Sequence, residues 1–211
     1  MNERVKIKVC GIMDAAFAKA AESRGVDCLG FVFAPGSPRR VSPETARAIA
    51  GSLAGRAKTV GVFAGVPIAA AVAMALEAGV DIVQLHGGYT ASDCRLAKAA
   101  GFGVWMLDEG GETPPEADGI LVDGRDGAKR GGTGKTADWE RARELAAKGV
   151  FTILAGGLGE ANAPAAAQTG CAVLDFNSSL ELSPGRKSLA KLDALLERFR
   201  SERAGGDGRR A

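Results

Sequence analysis

Two residues with chemically useful side chains end apolar runs of the sequence. Cys10 closes the run VKIKVC and Asp123 closes the run GILVD. A cysteine in a strand is often only a small apolar side chain, but its thiolate could take a proton from carbon if positive charge or helix dipoles lower its pKa. The aspartate either accepts hydrogen bonds from the next loop or, when protonated, acts as a general acid. Together the two residue types are suited to proton transfer.

A glycine-rich segment follows Asp123 in the chain. Residues 130–139 read RGGTGKTADW, which is similar to a nucleotide-binding P-loop. That motif requires a glycine five residues before its Gly-Lys pair, and Lys129 occupies this position. The segment is therefore predicted to be a turn between a strand and a helix, where ligand-binding loops are common.

Two later loops have the composition of phosphate-binding loops. Gly156 and Gly157 follow one apolar run, and Asn177, Ser178 and Ser179 follow the next. Backbone N–H groups in such loops can bind a phosphate, although paired glycines can also simply turn the chain. Their position after consecutive apolar runs favours a phosphate site.

Basic side chains supply a further candidate binding group. Arg39 and Arg40 lie in a loop that contains Pro35 and Pro38. They are either solvated surface charges or a forked binding group for a planar carboxylate. The only histidine, His86, ends another apolar run, where hydrogen bonding is a more ordinary role than catalysis.

Short apolar runs alternate with segments of helical period along the whole chain, which predicts alternating strands and helices. The eight predicted strands cover residues 5–10, 27–33, 58–63, 81–86, 103–107, 119–123, 150–155 and 172–176. Predicted helices cover roughly 14–24, 90–100, 136–148, 160–169 and 187–202, with two more between the second and fourth strands.

The helix ends carry recognisable signals. Ser42 is a predicted N-cap with Pro43 at the first helical position, Gly55 is the predicted end of that helix, and Pro67 opens the next one. No helix is predicted between the fifth and sixth strands, because the segment DEGGETPPEAD contains paired glycines and prolines.

Apolar strands that are each followed by a helix predict a parallel sheet covered by helices, and eight such units predict a closed (β/α)8 TIM barrel. An open doubly wound sheet is the competing layout, but its usual glycine-rich fingerprint does not follow the first strand. We expect a single barrel domain over residues 1–203 and a flexible tail over 204–211. Catalytic residues of such a barrel lie at the C-terminal ends of its strands.

Composition limits the class of protein. With 27 Lys and Arg against 25 Asp and Glu, the formal net charge is only +2, which predicts no nucleic-acid or membrane partner and favours a small-molecule ligand. The four cysteines are widely spaced and accompany one histidine, so we expect free thiols and no metal site. The N-terminus shows no apolar signal segment, which favours the cytoplasm.

Seven motifs, in this order, resemble those of the phosphoribosylanthranilate isomerase family over about residues 5–195. They are KVCGIMD, GFVFAPGSPRRVSPE, VGVF, VQLHG, LVDGRDGAKRGGTGKTADW, LAGGL and LDFNSSLELSPGRKS. The resemblance implies a (β/α)8 barrel that performs an Amadori rearrangement in tryptophan biosynthesis without a metal or cofactor. It also implies that the glycine-rich segment helps to cover the ligand and has no connection with ATP.

The resemblance also implies residue roles. The family's general base corresponds to Cys10, its general acid to Asp123, and its arginine for the anthranilate carboxylate to Arg39. The other implied substrate-binding residues are Gly132, Gly134, Gly156, Gly157, Asn177, Ser178 and Ser179. Asn177 and Ser179 depart from the family's usual serine and glycine, and a side chain at 179 is expected to alter phosphate binding.

Two other functions stay open at this point. A sugar-phosphate isomerase of histidine biosynthesis shares the barrel and the chemistry, but the sequence shows no duplicated half-barrel. An inactive phosphate-binding barrel would be free to lose both Cys10 and Asp123, which are retained. A monomer is expected by default, and a homodimer is the alternative if the missing helix leaves an apolar strip to be covered.

Overall fold

A computed structural model describes residues 4–124 and 138–206, with side chains to residue 199. Its eight central strands are β1 (Lys6–Cys10), β2 (Cys28–Val32), β3 (Lys58–Phe63), β4 (Ile82–Leu85), β5 (Gly103–Leu107), β6 (Gly119–Asp123), β7 (Thr152–Ala155) and β8 (Val173–Phe176). They pair in parallel in chain order, and β1 also pairs with β8, so the sheet closes. The predicted (β/α)8 barrel is confirmed.

The helices lie between the strands as expected. They are α1 (Ala15–Ser23), α2 (Pro43–Ala50), α3 (Ile68–Ala78), α4 (Ala91–Ala99), α5 (Trp139–Ala147), α6 (Ala163–Ala167) and α7 (Leu189–Gly206). Ser42 caps α2 by accepting a hydrogen bond from the N–H of Thr45, as its position predicted. The prediction that this helix ends at Gly55 is wrong, because Gly51 already forms the C-cap.

The crossover between β5 and β6 contains no helix in residues 108–118, all of which the structure describes, so this prediction is confirmed. Side chains hold the segment in place. Arg141 of α5 donates to both carboxylate oxygens of Asp108, at 2.9 and 3.1 Å, and to the carbonyl of Gly111 at 2.8 Å. Asp118 accepts a hydrogen bond from the N–H of Val104, which fixes the far end of the segment on β5.

Strand alternation separates two apolar regions. Side chains of one parity fill the barrel interior, including Cys28, Val60, Trp105, Leu121 and Ile153. Side chains of the other parity, together with the helices, form the larger core outside the strands. Because the period is two, Lys8 shares the inner face of β1 with Cys10.

The C-terminal part differs from the sequence expectation in two ways. The short strands β9 (Glu181–Ser183) and β10 (Arg186–Lys187) form an antiparallel hairpin that was not predicted. Helix α7 continues to Gly206, beyond the predicted helix end at about residue 202. Residues 207–211 of the expected tail lie outside the described residues.

Candidate active site

A cavity of about 220 Å³ opens at the C-terminal ends of the barrel strands. This is the end at which a parallel barrel places its functional residues. The predicted site residues that line it are Cys10, Arg39, Asp123, Gly156, Gly157, Asn177 and Ser178. Residues that are 113 positions apart in sequence, such as Cys10 and Asp123, therefore share one small cavity.

The other three predicted binding residues are Gly132, Gly134 and Ser179. Gly132 and Gly134 lie in residues 125–137, outside the part of the chain that the structure describes. Ser179 does not line the cavity. Its side chain packs against Gly159 instead, where an added Cβ would lie 3.1 Å from the Ser179 Cβ. Its Oγ is buried and has no hydrogen-bond partner among the described residues.

Cys10 ends β1 with 7% of its surface exposed. Glycine at position 30 of the neighbouring strand makes room for it, since a Cβ there would lie 3.0 Å from Sγ. Burial raises the pKa of the Cys10 thiol, and the nearby Lys8 opposes this shift without reversing it. The lowered pKa that was named as a condition for thiolate chemistry is therefore not found in this structure, because the loss of hydration outweighs the attraction of the ammonium group.

Beneath Cys10, Lys8 forms a buried ion pair with Asp175. The Lys8 Nζ lies 2.5 Å from Oδ2 of Asp175, and the two side chains are 0% and 7% exposed. Burial alone would lower the pKa of Lys8, but the carboxylate outweighs it and the pKa is raised, so Lys8 stays charged. Sequence analysis missed this pair, although strand alternation from Cys10 was a signal that could have found Lys8.

The carboxylate of Asp123 has space only because residue 156 is a glycine. Gly156 has a φ of 86°, in the region that glycine adopts most easily. A Cβ on this residue would lie 2.6 Å from Oδ1 of Asp123 and 2.4 Å from the N of Gly124. The glycine after β7 is therefore what allows the carboxylate at the end of β6 to occupy its place.

Arg39 already has a carboxylate partner within the protein. Its Nε and Nη2 donate to Oε1 and Oε2 of Glu181, at 2.8 and 2.6 Å. Lys187 Nζ also donates to Glu181, at 3.0 Å. Burial would raise the pKa of Glu181, but Arg39 and Lys187 outweigh it and lower this pKa to about 2. Arg40, by contrast, is exposed and does not line the cavity.

The hairpin β9–β10 also holds the loop after β8. Lys187 Nζ donates to the backbone carbonyl and to Oδ1 of Asn177, at 3.0 and 2.8 Å. Gly11 has a φ of 76°, and a Cβ there would lie 2.8 Å from Cδ of Arg39 and 3.1 Å from Oδ1 of Asn177. Glycine directly after Cys10 thus lets the arginine and the asparagine approach the end of β1.

Comparison with known proteins decides the family. A family model described as N-(5'phosphoribosyl)anthranilate (PRA) isomerase matches residues 7–198. The chain belongs to this family. The enzyme of that name from Rubrobacter xylanophilus is 40% identical over 193 residues, which cover 87% of this chain and 93% of the relative. The family predicted from the motifs is therefore confirmed, as is its class, an isomerase of tryptophan biosynthesis.

Solved structures of phosphoribosylanthranilate isomerases have the same fold as this chain. The Thermus thermophilus enzyme superposes with a TM-score of 0.82 at 36% identity and covers 93% of this chain and 99% of its own. Another family structure, in complex with reduced 1-(o-carboxyphenylamino)-1-deoxyribulose 5-phosphate, has a TM-score of 0.78 at 26% identity, with coverage of 93% and 99%.

The length and apolar character of the helices show whether any of them could span a membrane. Among the helices of the described residues, none combines the length and the apolar character that crossing a bilayer would need.

Proposed function

We propose that this phosphoribosylanthranilate isomerase family member converts N-(5′-phosphoribosyl)anthranilate to 1-(2-carboxyphenylamino)-1-deoxyribulose 5-phosphate, with Cys10 as the general base and Asp123 as the general acid. The observation that carries this proposal is that a thiol and a carboxyl group line one cavity together with Arg39 and the loops after β7 and β8. These groups match the parts of the substrate: a sugar that must gain and lose protons, a carboxylate and a phosphate.

The reaction needs two proton transfers. Protonated Asp123 donates its proton to the ribose ring oxygen, the bond from that oxygen to C1′ breaks, and the nitrogen lone pair forms a C1′=N Schiff base. The thiolate of Cys10 then takes the proton from C2′, and the electrons of that C–H bond give an enolamine. The enol tautomerises to the ketone of the product. Each positioned proton transfer typically contributes about 10²- to 10⁴-fold in rate.

The raised pKa of Cys10 has a consequence for the second transfer. A thiolate with a high proton affinity is a stronger base toward carbon, although less of the enzyme carries it at neutral pH. The positive charge of Lys8 favours the thiolate form of Cys10. Because Lys8 is fully buried against Asp175, it does not connect Cys10 to solvent for proton exchange. Lys8 is therefore a positioning and electrostatic group in this account.

Two binding regions hold the ends of the substrate. Arg39 offers a guanidinium at the cavity edge for the anthranilate carboxylate, and Glu181 fixes its orientation from the other side. Gly156, Gly157 and Ser178 also line the cavity, in the two adjacent loops after β7 and β8, whose backbone N–H groups suit a phosphate. Gly132 and Gly134 are proposed to cover the bound ligand.

We also infer that the protein acts in the cytoplasm as a monomer and binds no nucleic acid. A nearly balanced charge supports the absence of nucleic-acid binding, and four free cysteines support a reducing compartment. The monomer is the default, with a homodimer as the alternative. The chemistry above requires neither a metal nor a cofactor.

The proposed function is tested by turnover and by complementation. The purified protein should consume phosphoribosylanthranilate, followed by the loss of its fluorescence, and the gene should restore growth of a tryptophan auxotroph that lacks the isomerase. A soluble protein that binds the substrate without consuming it, and fails to complement, would instead be an inactive phosphate-binding barrel.

A further inference from the structure

Gln84 is a buried polar residue of the cavity that the mechanism above leaves unused. It lies on β4, two residues before His86, with 3% of its surface exposed, and it lines the cavity. Its Oε1 is buried and has no hydrogen-bond partner among the described residues. A buried amide oxygen without a donor, on a residue that lines a ligand cavity, requires a physical reason.

Burying a carbonyl oxygen without a hydrogen bond destabilises a protein, and nearly all buried polar groups in folded proteins are paired. An apolar side chain of the same length would fill this position on β4 without that cost. Its neighbour in the sheet, Val62 of β3, is an apolar residue that lines the same cavity. The glutamine is therefore explained if a bound ligand supplies the missing donor.

The position of Gln84 in the barrel indicates which part of a ligand it meets. In a closed ring of eight strands, β4 lies opposite β8, whose following loop we assign to the phosphate. The cavity wall beside β4 is apolar and consists of Val32, Ala34, Val62 and Ala64. That wall suits the aromatic ring of the substrate. With the ring there and the phosphate at the loop after β8, the junction of the ring and the sugar would lie between them and within reach of the β4 side of the cavity.

We propose that Oε1 of Gln84 accepts a hydrogen bond from the amine N–H that joins the aromatic ring to the sugar. This inference rests on the proposed function. When the ribose ring opens, the nitrogen becomes a protonated Schiff base that keeps its N–H and carries positive charge. The charge is neutralised when Cys10 removes the C2′ proton and the electrons return toward nitrogen.

Hydrogen bonds to charged groups are stronger than those between neutral groups. The bond from the nitrogen to Gln84 is thus stronger in the Schiff base than in the substrate. An interaction that strengthens along the reaction raises kcat and does more than tighten binding. Gln84 is in this way a substrate-contacting residue that favours ring opening.

The test compares Gln84→Met, which keeps the unbranched shape without the acceptor, with Gln84→Glu, which keeps a carbonyl oxygen. Thr152→Val is the control, because Thr152 is also a buried polar strand residue, but it lies on the outer face of β7 and does not line the cavity. We expect Gln84→Met to lower kcat/KM roughly 10- to 100-fold, mostly through kcat, while Gln84→Glu recovers part of the loss and Thr152→Val stays near wild type.

Thermal unfolding separates this role from a structural one. Removing an unpaired buried acceptor should leave the melting temperature of Gln84→Met equal to or above that of wild type. A structural role predicts a lower melting temperature and a loss of activity in proportion to the loss of folded protein. If Gln84→Met does not fold, Gln84→Leu is used to repeat the test. Wild-type kcat in folded Gln84→Met would overturn the proposal.

A binding measurement keeps the proposal independent of turnover. Reduced 1-(o-carboxyphenylamino)-1-deoxyribulose 5-phosphate carries the same amine N–H, so its calorimetric affinity should fall about two- to tenfold in Gln84→Met and stay unchanged in Thr152→Val. Equal affinities in wild type and Gln84→Met would contradict the role of Gln84. A wild-type protein that binds this molecule but turns over no substrate would contradict the proposed function instead.

Discussion

At the scale of single residues, one strand carries both the proposed base and a charged group that would stabilise its thiolate. Cys10 and Lys8 are two residues apart on β1, so they share the inner face of the barrel. Glycine at position 30 leaves space for both, because a Cβ there would also lie 3.3 Å from Cε of Lys8. The thiol is buried enough to raise its pKa, and the ammonium group limits that rise.

The raised pKa predicts how the thiol reacts with an alkylating reagent. A thiol with a pKa above its ordinary value of 9.0 is mostly protonated at neutral pH, and its thiolate fraction rises about tenfold per pH unit until the pKa is reached. The rate of Cys10 alkylation by iodoacetamide should therefore still be increasing at pH 9, and Lys8→Met should shift the curve to higher pH. Cys10→Ala gives the background from the other cysteines, and a plateau below pH 8 would contradict this account.

Gly156 allows a second residue-scale prediction. Gly156→Ala should lower kcat at least tenfold, because the new methyl group overlaps the position of the Asp123 carboxylate. The matched control is Gly149→Ala, since Gly149 has a similar φ of 78° but open space around its Cβ position. Gly149→Ala should lose roughly 1 to 2 kcal/mol in free energy of unfolding from backbone strain, and Gly156→Ala should lose more, because its Cβ would also lie 2.4 Å from the N of Gly124. Equal activity in the two variants would show that Asp123 does not need this space.

At the scale of elements, the hairpin β9–β10 supports the site from outside the barrel. Glu181 accepts hydrogen bonds from Arg39, Lys187 and the N–H of Gly185. Lys187 in turn holds Asn177 in the loop after β8. One short hairpin thus fixes both the predicted carboxylate-binding arginine and the loop predicted to bind phosphate.

The lowered pKa of Glu181 predicts a contribution to acid stability. A carboxyl group whose pKa falls from 4.5 to about 2 on folding stabilises the protein above pH 4.5, and this contribution is lost as the pH falls toward 2. The full loss is about 3 kcal/mol in order of magnitude, from 1.36 kcal/mol per pH unit. Denaturant titrations from pH 5 to 2 should show a shallower decline in Glu181→Gln than in wild type.

The exposed glutamate at position 160 supplies the control for that titration. Glu160→Gln should follow the wild-type decline, because a solvated carboxylate adds little to stability. If Glu181→Gln also followed it, the ion pair with Arg39 and Lys187 would not form in solution.

At the scale of the whole molecule, most of the architecture could be predicted because it depends on local patterns. Apolar runs and helix caps such as Ser42 fixed the eight strands, the helices between them and the absence of a helix in residues 108–118. Closure into a barrel followed from the number of repeated units. The ends of α2 and α7 were less predictable, because glycine and alanine near a helix end are compatible with more than one stopping point.

The site was predictable only in part, for a related reason. Cys10, Asp123 and Arg39 stand at strand ends or in a marked loop, so a pattern and a family resemblance could find them. Glu181 and Gln84 lie within quoted motifs but received no role, because the contacts of Glu181 and the burial of Gln84 at the cavity appear only in the folded structure. Arg39 and Glu181, for example, are 142 residues apart in sequence.

The central claim is that Cys10 and Asp123 transfer protons on one bound substrate. The most direct test measures kcat for Cys10→Ala and Asp123→Asn, with calorimetric binding of the reduced product analogue as a check that the cavity is intact. Loss of either group should lower kcat by about 10² to 10⁴ or more, while affinity for the analogue changes only a few-fold. Near-normal kcat in either folded variant would contradict the claim.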